Sequence, residues 1–118
     1  MEVYKDNGYG ITADSRKFAG KILERITEPE ARDIILTRKM GRYTVFVYFK
    51  DSHELHLSGF NWGYGGEGPH GLLWLFEKLG VPLTIEDISR WDMDTGCRIS
   101  FISGKWEVRQ SSSLNTKP

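Results

Sequence analysis

The residues best suited to chemistry in this chain are concentrated in one segment, residues 59–71, which we call the glycine-rich loop. Six of the chain's thirteen glycines lie there, and glycine lets a backbone follow unusual paths and approach a ligand closely. Aromatic side chains, which can stack on planar ligands, stand between those glycines. The loop predicts a ligand site, and the residues expected to form it are Asn61, Trp62, Tyr64, Gly65, Gly66, Glu67, Gly68 and His70.

The chemistry expected of this site is the binding of a small anion that carries an aromatic group. Pro69 suits the first turn of a helix, and the N–H groups at a helix start attract anions such as phosphate. Trp62 or Tyr64 would stack on a base, while Glu67 would repel an anion unless it turned away or accepted hydrogen bonds from the ligand. The pattern favours a non-catalytic module for a nucleotide-like ligand, without cofactor or metal.

Three alternatives stay open. The loop is also consistent with a rigid corner of the core, in which Phe60, Trp62 and Tyr64 pack inside. Its aromatic residues also suit a protein-interaction module or a homo-oligomer contact. A small hydrolase that uses Glu67 and His70 is the third alternative and the least favoured, because no nucleophile or metal cluster accompanies the pair.

The other histidines do not predict a metal site. On a strand, His53 and His56 point to opposite faces, so only Glu54 shares a face with His56. The acidic residues Asp92 and Asp94 lack the spacing of a calcium loop and predict a polar turn. We therefore expect no metal at either place.

Composition limits the possible classes of protein. The 118 residues suit one domain, expected over residues 1–110, with a flexible polar tail at 111–118. Sixteen basic and sixteen acidic side chains balance, which argues against bulk nucleic-acid binding, although residues 16–42 hold a local basic excess. With one cysteine, Cys97, no intrachain disulfide forms, and with no long apolar run we expect no membrane span and a cytoplasmic location.

The elements that position the loop are predicted by periodicity and turn residues. Helix-spaced apolar residues follow Asp14 or Ser15, either of which is expected to cap that helix. Thr84 and Asp87 have the spacing of a capping box for a later helix. The remaining predicted elements are a hairpin within residues 1–12, strands at 32–38, 43–49 and 54–58, a helix at 72–80, and a hairpin of strands 98–102 and 105–109. This order predicts an α+β fold with an antiparallel sheet of five to seven strands packed against two or three helices.

The sequence Trp62-Gly63-Tyr64-Gly65-Gly66-Glu67-Gly68-Pro69, followed by a leucine-rich helix, resembles the W-G-Y-G-G-x-G-P motif of a family of small bacterial and phage domains of unknown function. The resemblance covers residues 59–79, about a fifth of the chain. It implies a site at the loop and implies no activity. The phage members of that family imply a further expectation, namely that the protein sequesters a host nucleotide signal.

Overall fold

The computed structural model describes residues 2–26 and 29–111. Six strands form one sheet, and three helices pack against it, which confirms the predicted α+β class. Of the predicted tail, only the backbone of Ser111 lies within the described residues. The elements in chain order are β1 (Val3–Lys5), α1 (Thr12–Arg25), β2 (Ala31–Lys39), β3 (Arg42–Phe49), β4 (Glu54–Leu57), α2 (Glu67–Leu79), α3 (Ile85–Arg90), β5 (Gly96–Ile102) and β6 (Lys105–Ser111).

The sheet has the strand order β1-β4-β3-β2-β5-β6 and is mixed rather than antiparallel. The predicted meander of β2, β3 and β4 and the predicted β5–β6 hairpin are confirmed. The predicted hairpin within residues 1–12 is wrong, because β1 pairs in parallel with β4 instead. Asp6 explains the difference: its carboxylate accepts hydrogen bonds from Ser15 and Ser58, which hold the chain beside β4 and α1.

The helices cover one face of the sheet. On that face most side chains of the central strands are buried, as are the helix residues opposite them, and the alternate side chains on the other face stay partly exposed. Cys97 lies in this core, and burial raises the pKa of its thiol to about 12. No helix within the described residues is both long and apolar enough to cross a bilayer.

The ends of the helices agree only in part with the predicted caps and boundaries. The capping box of α3 is confirmed: the Thr84 hydroxyl accepts from the Asp87 N–H at 3.2 Å, and the Asp87 carboxylate accepts from the Thr84 N–H at 2.9 Å. The predicted cap of α1 is wrong, because Ile11 occupies the N-cap position and Ser15 lies inside the helix with its hydroxyl turned to Asp6. The second helix begins at Glu67, earlier than predicted, so it includes the end of the glycine-rich loop.

Candidate functional site

A groove of about 880 Å³ lies where the glycine-rich loop meets the ends of three neighbouring strands. The end of β1, the end of β4 and the start of β3 lie side by side there, because β1 runs parallel to β4 and β3 runs antiparallel to it. We call this feature the loop groove. Its lining includes Asn61, Tyr64, Glu67 and Gly68 from the loop and Lys5, Tyr9, Arg42, Thr44 and His56 from the strands and the β1–α1 connection.

The structure corrects the prediction for Trp62. This side chain is completely buried, and its indole N–H donates to the carbonyls of Asp92 and Thr95, each at 3.2 Å. Its ring meets the Tyr43 ring edge-on, with centroids 5.0 Å apart. A ring enclosed in this way is not available to stack on a base, so the interpretation of the loop as a corner of the core is correct for Trp62 and for the equally buried Phe60.

Tyr64 has the opposite environment. It is 42% exposed and lines the loop groove. Its ring lies over Gly66, where an added Cβ would stand 2.4 Å from a ring carbon. Gly66 therefore serves to seat the Tyr64 ring and does not itself line the groove, while the outer part of the ring remains open to a partner.

Most glycines of the loop are explained by packing. Gly63 has φ +94°, and its N–H donates to the Ile88 carbonyl at 3.1 Å, while a Cβ there would lie 2.6–2.9 Å from Met93. A Cβ at Gly59 would meet the carbonyl of Ile11 at 2.4 Å. Gly65 is the exception, since a Cβ at that position would meet nothing within 4 Å. The concentration of glycine therefore reflects close contacts within the chain more than an approach to a ligand.

Asn61 and Gly68 form the most informative contact of the groove. The Asn61 carboxamide lies against the backbone of Gly68, where an added Cβ would stand 1.8 Å from Oδ1. This oxygen is shielded from solvent and, among the described residues, accepts no hydrogen bond. An unpaired buried polar atom costs about 1–3 kcal/mol. Because Oδ1 faces Gly68, an N–H donor of a ligand reaches it only when the carboxamide turns toward the groove, and the resulting hydrogen bond would recover that cost.

The space at the start of α2 is already occupied by protein. The Asn61 carboxamide covers Gly68, and the Tyr64 ring covers Gly66. The cations of the groove stand elsewhere: Lys5 on β1 and Arg42 on β3 are exposed and flank β4. Of the basic residues within the segment 16–42, Arg42 is the one that lines the groove.

A polar network centred on Asp6 supports the wall of the groove and was missed by the sequence analysis. The carboxylate accepts from the Ser15 hydroxyl at 2.5 Å, from the Ser58 N–H at 2.8 Å and from the Gly8 N–H at 2.9 Å. Burial raises the pKa of Asp6, but these hydrogen bonds together lower it by a larger amount. The pKa of Asp6 is therefore below its ordinary value. The Ser15 hydroxyl in turn accepts from the N–H of Gly59, the first residue of the loop.

The pair expected to do acid–base chemistry is not assembled in the groove. Glu67 lines the groove, whereas His70 lies outside its lining, with Nδ1 2.9 Å from the carbonyl oxygen of Gly66. On the outer face of the sheet, His56 Nε2 lies 3.0 Å from Glu54 Oε1, as their shared face predicted. Within residues 2–26 and 29–111, no three histidine, cysteine or carboxylate side chains cluster closely enough to hold a metal ion.

The structure thus brings together four of the eight predicted residues, Asn61, Tyr64, Glu67 and Gly68, in one groove and leaves Trp62, Gly65, Gly66 and His70 outside its lining. No protein-family model, curated protein or solved structure matches this chain. The resemblance carried by residues 62–69 stays a prediction, and the loop groove is the feature of the structure that bears on function.

Proposed function

We propose that the protein is a non-catalytic binding module whose loop groove takes a small anionic, nucleotide-like ligand. The observation that carries the proposal is the buried, unpaired Oδ1 of Asn61 beside the exposed ring of Tyr64 in a groove of about 880 Å³. This volume lies within the range of small-molecule sites, about 300–1,000 Å³. A planar group with N–H donors fits such a position, and a nucleobase has both features.

The charges of the groove orient the ligand. Glu67 is exposed beside Asn61 and supplies a second acceptor for the N–H groups of a base. The carboxylate of Asp6 also lines the groove, but hydrogen bonds from Gly8, Ser15 and Ser58 already occupy its oxygens, so Glu67 is the carboxylate open to the N–H groups of a ligand. Lys5 and Arg42 offer the exposed positive charge, so we place the phosphate between them and the base at Tyr64.

The proposal is tested by a thermal-shift screen with nucleoside mono- and diphosphates and cyclic nucleotides, followed by calorimetric titration of any hit. We expect Tyr64→Ala and Arg42→Ala each to weaken binding about tenfold, a loss of about 1.4 kcal/mol. Arg90→Ala is the matched control, because Arg90 is exposed at the end of α3 and does not line the groove. Absence of a shift with every nucleotide would refute the proposal.

A second candidate, a protein-interaction module, is favoured by a separate observation. Tyr9 is 77% exposed and faces the same groove as Tyr64, and Met93, against which Gly63 packs, is 40% exposed. Exposed aromatic residues often contribute strongly to protein interfaces. A pull-down in which Tyr9→Ala and Tyr64→Ala both abolish capture of one protein, without any nucleotide response, would favour this candidate over the first.

The sequestration of a host nucleotide signal by a phage protein remains a prediction from the resemblance of residues 62–69. The cytoplasmic location likewise remains a prediction, made from the single cysteine, Cys97, and from the shortness of the apolar runs in the sequence. Titration with cyclic nucleotides separately from ordinary nucleotides would distinguish a signal-binding site from a general nucleotide site.

A further inference from the structure

The edge of the sheet farthest from β1 is formed by β6, residues Lys105–Ser111. Within the described part of the chain, β6 pairs with β5 alone, so its other side has no strand beside it. An edge of this kind presents backbone N–H and C=O groups to any strand that can pair with it.

The turn of the hairpin determines which backbone groups face outward. Ser103 and Gly104 have φ values of +52° and +83°, as a two-residue type I′ turn requires, and Ile102 pairs with Lys105. The residue pair that closes such a turn is hydrogen-bonded. Along a strand, the backbone N–H and C=O groups of successive residues point alternately to one side and to the other. The outward backbone groups therefore belong to the even-numbered residues Trp106, Val108 and Gln110.

The side chains along this edge include uncovered apolar groups. Val108 is 41% exposed and Phe101, on the neighbouring strand, is 45% exposed. Phe101 and Trp106 pair across the hairpin, and their ring centroids lie 5.2 Å apart. This apolar strip lies on the helix side of the sheet, beyond the part that the helices cover.

Charge alternates along the opposite face of the same strand. Lys105, Glu107 and Arg109 follow one another at every second position, and all three are exposed. On β5, Arg98 lies directly opposite Arg109, and its ion pair with Asp33 at 3.3 Å offsets only part of the repulsion between the two positive charges across the hairpin. Like charges at directly opposed positions destabilise a sheet. An acidic residue beside Arg109 on the open edge would relieve that repulsion.

We propose that the open edge of β6 pairs antiparallel with β6 of a second copy of this chain, about a two-fold axis at Val108, so that one sheet continues through both copies. Val108 is the midpoint of the seven-residue strand, so this register gives the longest overlap. It places Val108 opposite Val108 of the second copy, so that the outward N–H and C=O groups of these two residues face each other. It also places Glu107 opposite Arg109 of the second copy, and by symmetry it does so twice.

Neighbouring registers are less favourable. An axis at Glu107 would place Glu107 against its own counterpart and Lys105 against Arg109, which opposes like charges throughout. An axis at Trp106 would match Lys105 with Glu107 but would pair only residues 105–107. The charge order of the strand therefore favours the same register as its length.

Sedimentation velocity of the full chain over a range of concentrations tests the proposal. We expect a dimer for the natural sequence, and we expect Arg109→Glu and Glu107→Arg each to raise the dimer Kd by about tenfold or more, because two attractive pairs become repulsive. An equimolar mixture of these two variants should form a heterodimer, since both cross-strand pairs are then attractive again. Circular dichroism melting checks that each variant remains folded.

Lys105→Glu is the matched control, because it reverses a charge on the same face of the same strand. In the proposed register Lys105 lies opposite Ser111 of the second copy, so the dimer Kd should stay the same or fall slightly. A natural chain that is monomeric at every concentration would overturn the proposal. So would a dimer that Lys105→Glu weakens, or one that tolerates both Arg109→Glu and Glu107→Arg.

Discussion

Trp62 and Tyr64 stand two residues apart in one loop, yet their environments are opposite. Trp62 is 0% exposed, and Tyr64 is 42% exposed. The difference comes from their partners: the Trp62 N–H finds two carbonyl acceptors within the protein, whereas the Tyr64 ring rests on Gly66 at the mouth of a groove. An aromatic residue in a glycine-rich loop is therefore not evidence of a ligand site until its neighbours are known.

The glycines divide in the same way. Gly63 has a positive φ and a close backbone contact with Met93, while Gly65 has neither. The first part of the loop, which we call the packed half (residues 59–63), closes the core through Phe60 and Trp62, while Asn61 of the same half lines the loop groove. The second part, the open half (residues 64–68), forms one side of the loop groove.

Trp62→Ala is expected to give the largest effect. Removing a fully buried tryptophan leaves a cavity, and substitutions of this kind cost about 3–5 kcal/mol. The loss also leaves the carbonyls of Asp92 and Thr95 without their donor. Tyr64→Ala is the matched control and should lower the free energy of unfolding by less than about 1 kcal/mol. Urea unfolding measures both, and similar losses for the two variants would contradict the division.

Gly63→Ala is expected to cost about 2–4 kcal/mol, because a left-handed backbone and a close contact oppose the new methyl group together. Gly80→Ala separates these causes, since Gly80 has φ +76° but nothing within 4 Å of an added Cβ. We expect about 1 kcal/mol for that control, from backbone strain alone. Urea unfolding of the two variants gives the comparison, and an equal loss for both would show that the Met93 contact is unimportant.

Asp6→Asn tests what holds the start of the packed half in place. Through Ser15 and Ser58, the Asp6 carboxylate fixes the N–H of Gly59. Replacing it by an amide removes charge-assisted hydrogen bonds, and we expect a loss of about 1–2 kcal/mol at pH 7, measured by urea unfolding. Asp14→Asn is the control, because Asp14 bonds to the exposed side chain of Asn7 and not to this network.

The same variant has a defined pH dependence. The pKa of Asp6 is lowered in the folded protein from an ordinary value of 3.8. The stability that the carboxylate contributes is therefore fully present above that value and is lost as pH falls through the lowered, folded-state pKa. The difference in unfolding free energy between the natural chain and Asp6→Asn should be greatest above about pH 4 and should shrink in more acidic solution. A difference that stays constant from pH 7 to pH 2 would contradict this assignment.

The features that the sequence predicted are those that depend on nearby residues. Thr84 and Asp87 are three residues apart, and their capping box formed as expected. The β2–β4 meander and the β5–β6 hairpin likewise depend on short connections and on alternating apolar residues. The helical spacing of apolar residues, which is also local, indicated the face of α1 on which Ala19 and Ile22 are buried.

The features that the sequence missed depend on distant partners. Asp6 and Ser58 are 52 positions apart, so nothing near Asp6 indicated that it would direct β1 to β4 rather than into a hairpin. Trp62 finds its acceptors 30 and 33 residues away. The candidate site was predicted only in part for the same reason: Asn61 and Tyr64 were identified from the loop itself, but Lys5, Tyr9 and Arg42 come from elements that only the fold brings beside it.

Gly65→Ala is expected to give the smallest effect. Gly65 has no positive φ, an added Cβ would meet nothing within 4 Å, and the residue does not line the loop groove. The free energy of unfolding should change by less than about 0.5 kcal/mol in urea titrations. Any thermal shift that a nucleotide produces should also match that of the natural chain, because Gly65 does not line the groove that holds Asn61 and Tyr64, the residues that we propose for the base. A variant that keeps its stability but loses the nucleotide response would instead place Gly65 in contact with the ligand and extend the site to the outer turn of the loop.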